Sequence, residues 1–101
     1  MSQVAIIAKF TCIDGKRDEL YSGLAPMMDH VGSEDGTIQY QLLEDQNDPN
    51  IAYMYELYTD MDAVQAHNTS DVMKQIMNAF GGVLAGRPEI NLLTPVRGKG
   101  L

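Results

Sequence analysis

Ile51-Ala-Tyr-Met-Tyr-Glu-Leu-Tyr58, continuing through Thr59-Asp-Met-Asp-Ala-Val-Gln-Ala-His67, is the stretch whose reading decides the fold. In an extended strand alternate side chains share a face, which puts Ala52, Met54, Glu56 and Tyr58 on one side and Ile51, Tyr53, Tyr55 and Leu57 on the other. Both sides are largely apolar, the pattern of a strand covered on both: by helices on one, by another sheet or a second subunit on the other. Glu56 then lies half or fully buried. A carboxylate there must be hydrogen-bonded, ion-paired, protonated or used. Beyond Asp60, Met61, Val64 and His67 follow at helical spacing and carry an imidazole toward the same end of the strand. The alternative is that Glu56 and His67 are structural partners and the tyrosines only packing.

Outward from this stretch, Asp45-Gln-Asn-Asp-Pro-Asn50 is rich in turn formers, and Thr37 to Glu44 before it alternates Ile38, Tyr40 and Leu42 against Thr37, Gln39 and Gln41. That is a hairpin of two antiparallel strands. Further upstream, Val4 to Thr11 reads as a first strand, Asp14-Gly15 as a turn, and a helix starts near Lys16 with Leu20, Leu24, Met27 or Met28, and Val31 as its stripe. Pro26 removes a backbone bond at a cost of ~3 kcal/mol and predicts a kink or break near residues 22 to 26. Gly32-Ser-Glu-Asp-Gly36 ends that helix. Downstream, Ser70 caps a helix whose expected buried stripe is Met73, Ile76, Met77, Phe80 and Leu84, stopped by Gly81-Gly82 and Gly86. Arg87-Pro88 leads into a fourth strand, Glu89 to Val96, with Ile90, Leu92, Thr94 and Val96 on one face. Residues 1–96 form one domain, and 97–101 are expected to be a mobile tail.

Strand, helix, strand, strand, helix, strand with right-handed crossovers gives a ferredoxin-like split βαβ sandwich of the α+β class, a four-stranded antiparallel sheet with helices on one face. The other face carries Ile51, Tyr53, Tyr55 and Leu57, too apolar for water. A homodimer packed sheet to sheet is the expected solution.

Composition narrows the function. With 101 residues and 45% hydrophobic content, the chain is a single folded domain in which a private ligand cavity competes with the core for space. Seven basic against fourteen acidic residues give a net charge of -7 with no basic cluster, which argues against nucleic-acid binding. The apolar run at residues 4 to 8 is too short to span a bilayer and follows no basic leader, so a cytoplasmic protein without membrane attachment is expected. One cysteine, Cys12, and two histidines, His30 and His67, offer no metal-ligand spacing. Asn68-Thr-Ser70 matches a glycosylation acceptor by pattern alone.

Taken in order, these elements resemble the antibiotic biosynthesis monooxygenase family, dimeric α+β barrels that include small cofactor-independent quinol monooxygenases. The resemblance covers nearly the whole chain. It rests on the first strand and Asp14-Gly15, on Glu34-Asp-Gly36 where the family commonly has Glu-Pro-Gly, on Asp48-Pro49, on Tyr55-Glu56-x-Tyr58 followed by His67, and on Arg87-Pro88-Glu89. Two departures bear on activity. Tyr58 stands where the family usually has Trp, and the first strand lacks the Asn of the haem-degrading branch, which disfavours haem degradation.

What the resemblance implies is oxidation of a small phenolic or hydroquinone-like substrate by O2 with no metal, flavin or haem, in a pocket between sheet and helices. Such chemistry needs an electron-rich substrate, desolvated and deprotonated, so that it can reduce O2 itself. His67 is the expected base, with Glu56 orienting it or accepting a proton and Tyr58 completing the catalytic group. Tyr58 and Tyr40 are placed to bond or stack on the ring, and Phe10, Met27, Met54, Met77 and Phe80 to wall the cavity. Two other functions fit the same residues: proton-shuttling isomerisation of a small carbonyl compound, and a non-catalytic ligand-binding or stress-response homodimer.

Overall fold

The computed structural model describes residues 2–100. Its elements are β1 (Val4–Thr11), α1 (Arg17–His30), a 3₁₀ turn (Val31–Ser33), β2 (Thr37–Glu44), β3 (Ile51–Tyr58), α2 (Met61–Asn68), α3 (Asp71–Ala79) and β4 (Glu89–Leu93). The strands form one antiparallel sheet in the order β2-β3-β1-β4, the ferredoxin-like arrangement expected. No helix among the described residues is long and apolar enough to cross a membrane.

Cross-strand register sets the inner face. Ile6, Ala8 and Phe10 of β1 lie opposite Glu56, Met54 and Ala52 of β3, and all six are buried. Leu20, Leu24 and Met27 of α1 and Ile76 of α3 pack onto Ala8, Phe10, Ala52 and Met54, and Ile6 joins Tyr58 and Val64 of α2 in a smaller second cluster. Asp60 caps α2 by accepting from the Ala63 amide at 2.9 Å, and Ser70 caps α3 by accepting from Met73 at 3.1 Å. The hairpin loop is held by its own side chains. Asp45 accepts from the amides of Asn47 and Asp48, while the Arg17 guanidinium donates to the carbonyls of Asp45, Asp48 and Ile51.

Several expectations are corrected. The helix runs through Pro26 without a break, because its turns are held by the buried Leu20, Leu24 and Met27 on either side of the missing bond. A β-bulge between Thr37 and Gln39 throws Ile38 out of the alternation. Ile38 is therefore exposed, and Thr37, Tyr40 and Leu42 share the inner face. Met77 is 62% exposed instead of buried, because α3 covers β1 and leaves β4 open. β4 ends at Leu93, opposite Ala5 near the start of β1, so Thr94 and Val96 have no strand to pair with. On the outer face Tyr53 and Tyr55 are half-buried and Ile7 and Leu43 exposed, whereas Leu57 is already buried within the single chain. In the 97–101 tail, Leu101 lies outside the described residues.

Gly36 brings the segment before β2 against α2. A Cβ there would stand 2.4 Å from the Ala63 Cβ, and the Gly36 carbonyl accepts from the Thr59 amide at 2.9 Å. Only a residue without a side chain permits this approach. It sets Glu34, two residues earlier, beside the last turn of α2.

Candidate active site

Between the inner face of the sheet and α3 lies a cavity of ≈ 350 Å³. Ile6, Ala8 and Phe10 of β1 form its floor, Leu24, Met73, Ile76, Met77 and Phe80 its helical wall, and Pro88, Ile90 and Leu92 its rim. Tyr40, Glu56 and Asn68 supply the polar edge. Glu56 is the one charged side chain among the described lining residues. An apolar hollow with a few convergent polar groups is the form small-molecule sites usually take.

Glu56 sits at the end of a buried polar chain. The Tyr58 hydroxyl donates to Glu56 Oε1 at 2.5 Å. His67 Nε2 lies 3.9 Å from the same oxygen, and His67 Nδ1 is 2.9 Å from Glu34 Oε1. Glu34 Oε1 also accepts from the Thr37 hydroxyl at 2.8 Å, and Glu34 Oε2 lies 3.4 Å from His30 Nε2. The His67 ring is flanked by Tyr40 and Tyr58, with centroids 5.2 and 5.4 Å away. His67 is 1% exposed, and its Nε2 has no hydrogen-bond partner among the described residues. Among the described residues no three His, Cys, Asp or Glu side chains converge as metal ligands would.

Burial raises the Glu56 carboxyl above the usual range. Donation from Tyr58 and the nearby His67 oppose this, while the Glu34 charge adds to it. The Tyr58 phenol is pushed up by burial and then by Glu56, and the Tyr40 phenol by burial, Glu56 and Glu34. Both phenols stay protonated, and Tyr58 serves as a donor to Glu56. Nδ1 of His67 thus faces the Glu34 carboxylate and Nε2 faces Glu56.

Of the residues expected from sequence, Phe10, Tyr40, Met77 and Phe80 line the cavity together with Glu56. Met27 and Met54 do not; both are fully buried in the core behind it. Tyr58 and His67 stand behind Glu56, and His67 borders a second hollow with His30, Glu34 and Ser70. Sequence reasoning gave Glu34 no role of its own. Its only signal was the Glu34-Asp-Gly36 element, whose glycine makes the approach to α2 possible.

A model of the antibiotic biosynthesis monooxygenase family matches residues 3–79. Among solved structures, the chain is similar to a putative antibiotic biosynthesis monooxygenase from Caulobacter crescentus, with 27% identity over 95% of this chain and 92% of that one and a TM-score of 0.87. Rv0793 from Mycobacterium tuberculosis has 26% identity, coverage of 98% and 100%, and a TM-score of 0.89. SnoaB, a cofactor-independent oxygenase from Streptomyces nogalater, shares the fold over the full length of both chains at a TM-score of 0.84 and 19% identity.

Proposed function

The chain belongs to the antibiotic biosynthesis monooxygenase family, and from that premise we propose that it oxidises a small phenolic or hydroquinone-like substrate with O2, without metal, flavin or haem. The observation that carries this reading is the placement of Glu56, a buried carboxylate at the polar edge of an otherwise apolar cavity, backed by Tyr58 and His67. A hydroquinone in the cavity gives its O–H proton to Glu56. The resulting anion is held away from water by Phe10, Ile76 and Phe80, and reduces O2 directly. Ring oxygenation then forms a peroxide, which takes back a proton and loses water to leave a hydroxyquinone, so that one hydroquinone and one O2 give one hydroxyquinone and one H2O.

On this reading Glu56 is the group that touches substrate, and His67 acts through it. That reverses the order of roles expected from sequence, for a geometric reason: Glu56 borders the cavity and the imidazole lies behind it. The protein works as a cytoplasmic homodimer through the outer sheet face, where Ile7, Leu43, Tyr53 and Tyr55 gather.

Oxygen-electrode measurements with 1,4-naphthohydroquinone and substituted monocyclic hydroquinones test the activity. Equimolar consumption of oxygen and hydroquinone above the autoxidation rate, with hydroxyquinone formed, is the expected result. Oxygen uptake no faster than the protein-free control would reject it. The same acid and base groups would suit a carbonyl isomerase, which isomer formation under nitrogen would reveal.

A further inference from the structure

We infer that Glu34 is a positioning residue of this site, fixing His67 in one tautomer and holding it as the group that takes the substrate-derived proton from Glu56 and later returns it. The inference rests on the reading of Glu56 as the proton acceptor.

Its basis is the linear order of four side chains: Glu56, His67, Glu34 and His30. His67 is fully buried, yet its two ring nitrogens are treated differently. Nδ1 is bound to Glu34 Oε1 at 2.9 Å, and Nε2 has no hydrogen-bond partner among the described residues and lies 3.9 Å from Glu56 Oε1. An unpartnered buried nitrogen is costly if it serves only structure. A shift of about 1 Å would bring it within hydrogen-bond reach of Glu56.

Glu34 is itself constrained. Its Oε1 accepts from Thr37 at 2.8 Å, and its Oε2 faces His30. A carboxylate held from two sides offers a fixed negative charge to the far side of the ring, which favours both the Nδ1–H tautomer and the imidazolium. The remaining groups facing the ring are the Tyr40 and Tyr58 phenols and Glu56. His30, whose Nε2 lies 3.4 Å from Glu34 Oε2, borders the same hollow as the ring.

The proton movement balances. The substrate O–H bond breaks and its proton passes to the Glu56 carboxylate, then to His67 Nε2, giving an imidazolium whose Nδ1–H remains bonded to Glu34. After O2 has added to the ring, the proton returns by the same atoms to the terminal peroxide oxygen, which departs as water with the hydrogen of the oxygenated ring carbon, leaving a carbonyl there. His67 ends in the tautomer from which it started, so no ring flip is needed.

Two measurements decide. Ring ¹⁵N spectra of His67 in ligand-free protein should show the Nδ1–H tautomer in the wild type and a mixture of the two tautomers in Glu34→Ala, which removes the acceptor. With 1,4-naphthohydroquinone, Glu34→Gln should lower kcat roughly tenfold or more while KM stays within about twofold, since glutamine keeps an acceptor oxygen but removes the charge. An Nε2–H tautomer in the wild type, an unmixed Nδ1–H tautomer in Glu34→Ala, or wild-type kcat in Glu34→Gln would each overturn the proposal. If no hydroquinone is oxidised, the proposed activity fails by itself, and the ring spectra still decide whether Glu34 holds His67.

Discussion

The Tyr58 hydroxyl and the Glu56 carboxylate, two residues apart on one face of β3, are joined by a 2.5 Å hydrogen bond in the interior. The donor favours the ionised form of a carboxyl that burial pushes the other way. Tyr58→Phe removes the donor and keeps the ring, so the Glu56 pKa should rise further. If ionised Glu56 is the base, the acidic limb of the pH profile of kcat/KM should move to higher pH. The fold should lose only about 1 kcal/mol, as for one hydrogen bond. Paired rate profiles and chemical denaturation check this; an unmoved acidic limb would detach Tyr58 from the ionisation of Glu56.

Glu56→Gln separates rate from stability. The substitution keeps an acceptor for Tyr58 and removes the proposed base, so turnover should fall by about 10²–10⁴. The stability effect has a definite sign. A carboxyl whose folded pKa is raised contributes stability that is complete below its unfolded pKa and is lost as pH climbs through the folded value. Relative to wild type, Glu56→Gln should therefore gain stability as pH rises from about 4.5 to the raised folded value, with little relative change below. Melting temperatures of both proteins from pH 4 to 8 give the comparison, and a constant difference across that range would mean that Glu56 is not strained by burial.

Strand periodicity made much of this legible in the sequence. The two-faced pattern of residues 51–58 gave the boundaries of β3 and the burial of Glu56, helical spacing after Asp60 gave α2, and the cap at Ser70 marked α3. What periodicity could not carry was register and coverage. The bulge that ejects Ile38 depends on a single extra residue in β2, and the exposure of Met77 depends on how far α3 reaches across the sheet. Glu34 was hidden for a related reason. It stands 33 residues from His67, and their meeting is set by the approach of Gly36 to Ala63.

Gly36→Ala tests that approach directly. The new methyl would stand 2.4 Å from the Ala63 Cβ, so α2 or the start of β2 must move. Overpacking of this kind usually costs about 1–3 kcal/mol. Because α2 also carries His67, the shift should disturb the Glu34 contact, lowering kcat by more than the folded fraction explains. Circular dichroism melts beside the oxygen assay would expose the difference. Wild-type stability would mean that the backbone relaxes at this point without strain.

Tyr55→Glu addresses the outer face. Tyr55 lies between Ile7 of β1 and Gln41 of β2 in the sheet register, at the centre of the half-buried apolar patch. A charge there should weaken homodimer formation at least tenfold in Kd while leaving the inner core untouched, a difference of about 1.4 kcal/mol or more. Sedimentation across a concentration series would measure it, and a wild-type chain that remains a folded monomer at micromolar concentration would remove the homodimer from the proposal.

The last test contrasts two methionines that the sequence had grouped together as cavity wall. Met54 is fully buried, opposite Ala8 and Leu42, and contributes nothing to the cavity surface. Met77 is 62% exposed and lines the cavity near its open side. Met54→Ala should therefore cost about 2–5 kcal/mol of stability through the void left behind, with KM unchanged in whatever fraction stays folded. Met77→Ala removes little that the fold buries, so the stability change should stay within about 0.5 kcal/mol. It also takes apolar surface away from a bound ring. KM for 1,4-naphthohydroquinone should rise several-fold while kcat changes little, as when binding shared by ground and transition states is lost. Denaturation curves and full kinetic saturation on both variants separate the two roles. A Met77→Ala protein with wild-type KM would place the substrate elsewhere than against α3.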